Sequence, residues 1–149
     1  MRKLVLALAL SFVFAGAVLA QGAATAPVFV PAADMKWTDL DPAGAPGVKI
    51  VDLWGDHTKG AFGSLVKFPA GFTAPLHTHT NTFKILVVSG TFVQTPEGKG
   101  ETRLGAGSYI LQPGGNYRHT TGCDKASDCV FLTQSDGKFD LIPVTGPKK

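Results

Sequence analysis

The sequence predicts an all-β chain folded as one closed or double-sheet barrel. Three observations predict it. Short runs rich in β-branched and aromatic residues recur along the chain, and glycine or proline punctuates nearly every interval between them. Beyond the first twenty residues, no window places apolar residues at i, i+3, i+4 and i+7 as a helix would. A barrel is the economical way to hide the edges of so many short strands.

Taken in order, the chain opens with MRKLVLALALSFVFAGAVLA, residues 1–20. Arg2 and Lys3 precede an apolar run, and Val18 and Ala20 occupy the positions a signal peptidase reads. This is the pattern of a secretory signal peptide. A retained anchor is the rival reading, but Leu4 to Ala20 is only 17 residues, short for a span, and no basic stop-transfer cluster follows. No cysteine follows Ala20 to carry a lipid. The expected product is periplasmic or secreted, with no stable membrane anchor after cleavage. Removing 20 of the 149 residues leaves 129, the size of one domain. Residues 21–31, rich in Ala, Thr and Pro, read as a linker or N-terminal edge segment, and residues 32–149 as the barrel.

Within the barrel the β-prone runs are Gly47 to Leu53, Phe62 to Phe68, Phe83 to Val88, Thr91 to Thr95, Ser108 to Gln112, Cys129 to Thr133 and Lys138 to Ile142. Allowing for the strand that carries His77 and its partners, about eight to ten strands are expected. Fourteen Lys and Arg stand against eleven Asp and Glu, and two of the basic residues leave with the signal, so a net charge of +3 falls to about +1. The remaining basic residues are scattered among acids, which excludes a nucleic-acid footprint. The glycines follow neither the P-loop nor the dinucleotide pattern.

Cys123 and Cys129 enclose five small or polar residues and can face each other across a hairpin. In an exported chain a disulfide is the leading reading, worth about 2 kcal/mol for so short a loop. A thiolate metal ligand or a redox pair is the alternative, although the spacing is not CxxC.

The chemistry-bearing feature is His77-Thr78-His79. On a strand, two imidazoles at this spacing project from one face. They make half a metal site. His119 follows the turn Pro113-Gly114-Gly115-Asn116, where the chain can reverse and bring a third imidazole alongside. His57, in Gly55-Asp56-His57-Thr58-Lys59-Gly60, reads as part of an exposed loop and is left out.

Gly71, five residues, His77-Thr78-His79, three residues, Phe83, six residues and Gly90 together resemble the first motif of the cupin superfamily, except that Phe83 stands where glutamate is usual. Gly107, five residues, Pro113-Gly114-Gly115 and then His119 resemble the second motif, with one extra residue before His119 and Cys123 in a slot that often holds asparagine. The flanks Leu53-Trp54-Gly55-Asp56, Phe68-Pro69-Ala70-Gly71-Phe72 and Ser135-Asp136-Gly137-Lys138-Phe139-Asp140 are similar to a group of cupins described as a domain of unknown function. The resemblance implies a single-domain jelly-roll β-barrel. It also implies one divalent transition metal, Fe, Zn, Mn, Cu or Ni, held by His77, His79 and His119.

The register of the motif turns Phe83 inward to cap the site and Lys84 outward. Three neutral histidines leave the +2 charge of such an ion uncompensated, so the site should prefer a small, anionic, chelating ligand. The resemblance permits an oxygenase or related metalloenzyme, because three-histidine cupins include iron enzymes that cleave diketones. It equally permits a non-catalytic binding or sensing domain, because they also include zinc-binding sensors. A third reading makes the histidines hydrogen-bonded core residues. Tyr117 and Gln112 read as ordinary strand packing, and Glu97 and Glu101 as solvent-facing, so no catalytic residue and no organic cofactor site is assigned. A closed jelly roll can still pair with a second copy through its outer sheet face.

Overall fold

The computed structural model describes residues 26–145; the expected signal peptide, residues 1–20, and part of the linker lie outside the described residues. The barrel belongs to a compact unit spanning Ala32–Lys149. Among the described residues no helix is long and apolar enough to cross a membrane.

After a single 3-10 turn at Ala32–Asp34, the described residues form eleven strands: β1 (Thr38–Asp39), β2 (Lys49–Gly55), β3 (Phe62–Phe68), β4 (Thr73–Thr78), β5 (Phe83–Ser89), β6 (Phe92–Pro96), β7 (Thr102–Leu104), β8 (Tyr109–Gln112), β9 (His119–Cys123), β10 (Cys129–Ser135) and β11 (Ile142–Pro143). Two antiparallel sheets result, one ordered β1-β2-β3-β10-β5-β8 and the other β11-β4-β9-β6-β7. This is the jelly-roll barrel the sequence predicts. The strand count exceeds the expected eight to ten because β1, β7 and β11 are ladders of two or three residues, too short to leave a periodic signal.

Alternation places the core between the sheets. On β5, Phe83, Ile85 and Val87 are buried while Lys84, Leu86 and Val88 are exposed. Phe62, Val66 and Phe68 of β3 and Phe131 of β10 complete the apolar wall of the six-stranded sheet. Phe92 of β6 meets that wall from the opposite sheet, stacking on Phe68 at 6.3 Å and edge-on to Phe131 at 4.9 Å between ring centroids. Such pairs add about 0.5–1.5 kcal/mol each beyond the area they bury.

Cys123 ends β9 in one sheet and Cys129 begins β10 in the other, and the two are joined by a disulfide, their Cα atoms 5.8 Å apart. The bridge therefore staples the two sheets together at one end of the barrel.

One expected strand is corrected. Residues 138–141 belong to no strand, and the ladder begins only at Ile142. The backbone groups that a strand would give to a neighbour are spent elsewhere: the Phe139 N–H donates to the His57 carbonyl at 2.7 Å, and the Asp140 carbonyl accepts from the imidazole of His79.

Candidate metal centre

The three histidines arrive from the five-stranded sheet. His77 lies on β4 directly opposite His119 on β9. Between Ala74 and His77 the β4–β9 register shifts, and β4 ends at Thr78, so His79 sits one residue beyond the strand rather than on it. Both imidazoles of the pair still turn inward, and all three histidines are buried. The extra residue before His119 is absorbed in the loop of residues 113–118, leaving His119 in register with His77.

That loop needs its glycines. A Cβ on Gly114 would sit 2.4 Å from the Thr80 carbonyl oxygen, and Gly115, at φ +77°, donates its N–H to the His79 carbonyl at 2.8 Å. Only glycine permits both the approach and the left-handed backbone. The turn thus braces the chain immediately after His79.

Each imidazole is oriented by a backbone carbonyl. His77 Nδ1 donates to Pro75 O at 2.6 Å, His119 Nδ1 donates to Tyr117 O at 3.0 Å, and His79 Nδ1 donates to Asp140 O. A carbonyl only accepts, so every Nδ1 carries the proton and every Nε2 presents a lone pair. One ring nitrogen of each histidine lies within 4.8 Å of the other two, and the Nε2 atoms of His77 and His79 are 3.1 Å apart. Two lone pairs at that distance repel unless a cation draws them together. His119 Nε2 is fully buried without a hydrogen-bond partner, a costly condition that a metal ion would relieve.

Burial keeps the site neutral. Desolvation first and the neighbouring histidines second, opposed by the carbonyl at Nδ1, bring His79 and His119 down to about 4, and desolvation likewise lowers His77 against its own carbonyl. Neutral imidazole is the form that ligates a metal. The residues present therefore fit a divalent transition ion.

Phe83 occupies the inward position next to the histidines, 2% exposed, with its ring edge-on to His79 at 4.7 Å. Lys84 faces outward, so its ammonium does not oppose a cation. Glu97 and Glu101 are exposed and pair with Arg118 and Arg103. Gln112 is buried and lines the cavity beside the histidines, so it does more than pack. Tyr117 stacks on His119, with ring centroids 4.9 Å apart.

Sequence reasoning missed Gln94 and Thr121, which hydrogen-bond to each other at 3.5 Å in the barrel interior, and Phe139 and Asp140, which line the cavity. Gln94 and Thr121 were legible only as alternation partners of Phe92 and His119. Phe139 and Asp140 follow a Ser-Asp-Gly turn that hides their approach to His79.

His57 lies on a turn, half-buried, with Nδ1 2.9 Å from Asp52 Oδ2. Asp52, Asp56 and His57 form a second cluster of potential ligands. Its atoms are already engaged, Asp52 by His57 and Ser64, Asp56 by Thr58 and Lys59. His57 takes no part in the three-histidine site.

The family model described as "Domain of unknown function (DUF4437)" matches residues 29–147. No curated protein matches the sequence. Among solved structures, the polyketide cyclase RemF from Streptomyces resistomycificus superposes with a TM-score of 0.68 at 18% identity, covering 83% of this chain and 89% of that one. An RmlC-like cupin from Ralstonia eutropha JMP134 gives 0.60 at 23% identity, covering 74% and 68%. The DMSP lyase DddQ from Ruegeria pomeroyi DSS-3 gives 0.61 at 20% identity over 78% of this chain; the chain spans 64% of that protein's length. At these identities the likeness is one of fold.

Proposed function

Since the chain belongs to the DUF4437 family, a group of cupins whose description states no reaction, we propose that it holds one divalent transition metal on His77, His79 and His119 and uses it to bind a small molecule through an anionic, chelating donor. The observation that carries this reading is the set of three carbonyl-oriented imidazoles, whose Nε2 lone pairs converge and one of which has no partner. Hydrogen-bonded core histidines would satisfy one another instead.

The bound ion, as a Lewis acid, would polarise an enolate or carboxylate oxygen. The chain's own residues hold the donors and exclude water. Pro75, Tyr117 and Asp140 fix the imidazole orientations through their carbonyls. Phe83 contributes no negative charge where a carboxylate would neutralise half of the ion's, which leaves that task to the ligand.

An oxygenase or related metalloenzyme is the reading taken first. A non-catalytic binding or sensing domain is the second, favoured by the two carboxylates that line the cavity: Asp41 caps the backbone N–H groups of Ala43 and Gly44, and Asp140 accepts from the N–H of Thr80. Both carboxylates are thus engaged by the backbone.

Export to the periplasm or medium belongs to the same proposal, and the disulfide is the observation that supports it. The mature chain would begin at Gln21, which mass spectrometry of the exported protein checks.

Metal analysis of untagged protein should find about one ion per chain. Protein that stays metal-free after reconstitution with Fe, Zn, Mn and Cu overturns the proposal. Oxygen uptake by the iron-loaded protein with diketones then favours the enzyme, and silence alongside ligand binding favours the binder.

A further inference from the structure

The cavity onto which His77 and His79 open has a volume of about 630 Å³, enough for a molecule of two or three rings. Its walls are made largely of carbon. Among the described residues six phenylalanines line it, Phe68, Phe72, Phe83, Phe92, Phe131 and Phe139, contributed by both sheets, by the turn before β4 and by the segment before β11.

Two of these rings stand at the histidines themselves. Phe83 and Phe139 lie 4.7 and 5.8 Å from the His79 ring and 5.9 Å from each other, so the first atoms of any ligand beyond its metal-bound donors meet aromatic faces and edges.

Charge is lacking where a polyanion would need it. Among the described residues no lysine or arginine lines the cavity, and the charged side chains that do are the carboxylates of Asp41 and Asp140. A dicarboxylate or phosphate would leave water for a wall without a cation, at a cost that one ion at the far end does not offset.

The polar part of the wall is neutral. Thr121 Oγ1 donates to Gln94 Oε1 at 3.5 Å and Gln94 Nε2 donates to Gln112 Oε1 at 3.1 Å, so one of the two lone pairs of the Gln112 oxygen is taken. Its amide N–H groups make no hydrogen bond among the described residues and are the donors Gln112 offers the cavity. Gln112 is also the direct cross-strand partner of Phe83. A donor and an aromatic ring therefore stand side by side next to the histidines.

We infer that the site takes a ring-bearing oxygen chelator of low charge. Its apolar aromatic body fills the phenylalanine-lined cavity, its chelating oxygens meet the histidine end, and a carbonyl or hydroxyl oxygen lies within reach of the Gln112 amide. The chelating head rests on the metal reading proposed above; the aromatic body rests on the cavity lining alone.

A matched series separates the two. Calorimetric titration of the zinc-loaded protein with acetylacetone, benzoylacetone and dibenzoylmethane holds the chelating head constant while phenyl rings are added. Affinity should rise about tenfold with each ring, and 2-oxoglutarate should bind more weakly than dibenzoylmethane by at least about tenfold. The Phe139→Ala variant should narrow the ratio between dibenzoylmethane and acetylacetone. In parallel, the neutral fluorophore N-phenyl-1-naphthylamine should bind the metal-free protein and be displaced by dibenzoylmethane.

Acetylacetone or 2-oxoglutarate binding as tightly as dibenzoylmethane, with the fluorophore excluded, overturns the inference and leaves the metal site standing. Fluorophore binding and displacement that zinc does not strengthen upholds the aromatic body and points the failure at the metal reading instead.

Discussion

His57 and the cluster of His77, His79 and His119 are the same residue type in two opposite settings. In the cluster each Nδ1 meets a main-chain carbonyl, the Nε2 atoms of His77 and His79 face each other, and His119 Nε2 is left bare in a buried space. His57 instead turns Nδ1 onto the carboxylate of Asp52, which Ser64 also holds at 2.6 Å. A neutral carbonyl orients an imidazole as a ligand and leaves the charge of the site to a metal. The Asp52 carboxylate instead ties His57 and Ser64 into one local hydrogen-bonded group. Carboxylates also orient metal-ligating histidines, so what separates the two settings is less the partner at Nδ1 than the convergence of three buried imidazoles, one with an unpartnered Nε2.

The largest effect that can break this comparison is loss of the ion. Replacing His77, His79 and His119 together with alanine should reduce bound metal from about one per chain to none, whereas His57→Ala should leave it unchanged. Equal metal content in both variants, read by elemental analysis, would show that the contrast in orientation has no consequence. Phe83→Glu probes the cluster from the other side. A carboxylate buried without a partner should destabilise the chelator-treated protein by about 3–5 kcal/mol, and metal should restore most of it. Thermal unfolding with and without metal measures both arms, and a variant that metal does not rescue would place position 83 outside the reach of the ion.

Acid should act on the cluster in a defined window. Below about 6.5 the unfolded chain protonates its histidines, while the folded, metal-free protein resists until about 4 at His79 and His119, so the unfolded state binds more protons across that interval. Stability of the metal-free protein should therefore fall as pH drops from about 6.5 to about 4 and level off below, with on the order of 3 kcal/mol at stake for one such group. Urea unfolding at stepped pH reads the slope. His79→Gln should flatten it, and an unchanged slope would mean that burial does not hold this imidazole neutral.

Much of this contrast was visible in the sequence, and the part that was not has a physical reason. The spacing of Gly71, His77, His79, Phe83 and Gly90 encodes backbone geometry and alternation, which are local, so the barrel, the inward ring of Phe83 and the outward Lys84 could be read directly. Gly90 shows why such a pattern carries so much: at φ +76° a Cβ would lie 2.4 Å from the Asp128 carbonyl oxygen. Asp140 O on His79 and Phe139 against Phe83 are contacts made across about sixty residues by a segment with no ladder of its own, and no periodicity announces them. The half-burial of His57 was hidden likewise, because Asp56, Thr58 and Lys59 around it make a turn that looks wholly solvated.

Two smaller effects test how far the cluster depends on its surroundings. Cys123→Ser with Cys129→Ser removes the staple between the sheets and should cost about 2 kcal/mol, since the closed loop is short. Metal content should survive that change, because His119, four residues before Cys123 on the same strand, is held by its pairing with His77 and not by the sulfur bridge. Loss of metal in the double serine variant would mean that the barrel end transmits its order to the site.

The smallest effect belongs to His57→Ala. The substitution removes the hydrogen bond to Asp52 and the edge-on contact with Phe62 at 6.3 Å, but Ser64 still donates to Asp52. A loss of about 1 kcal/mol or less is expected for a partly exposed pair whose carboxylate keeps two other donors, Ser64 and the backbone N–H of residue 57. The backbone of His57 makes two further bonds, its N–H donating to Asp52 and its carbonyl accepting from the Phe139 N–H, and alanine keeps both. The segment that carries Phe139 and Asp140 over the cavity should therefore stay in place, with metal and ligand binding unaltered. Replacing Gly137 tests the same segment without touching either histidine group, because a Cβ there would lie 2.5 Å from the Asn81 side chain. If Gly137→Ala weakens metal binding while His57→Ala does not, the strap is held to the site by the Asn81 contact with Lys138 and by Asp140, not by His57.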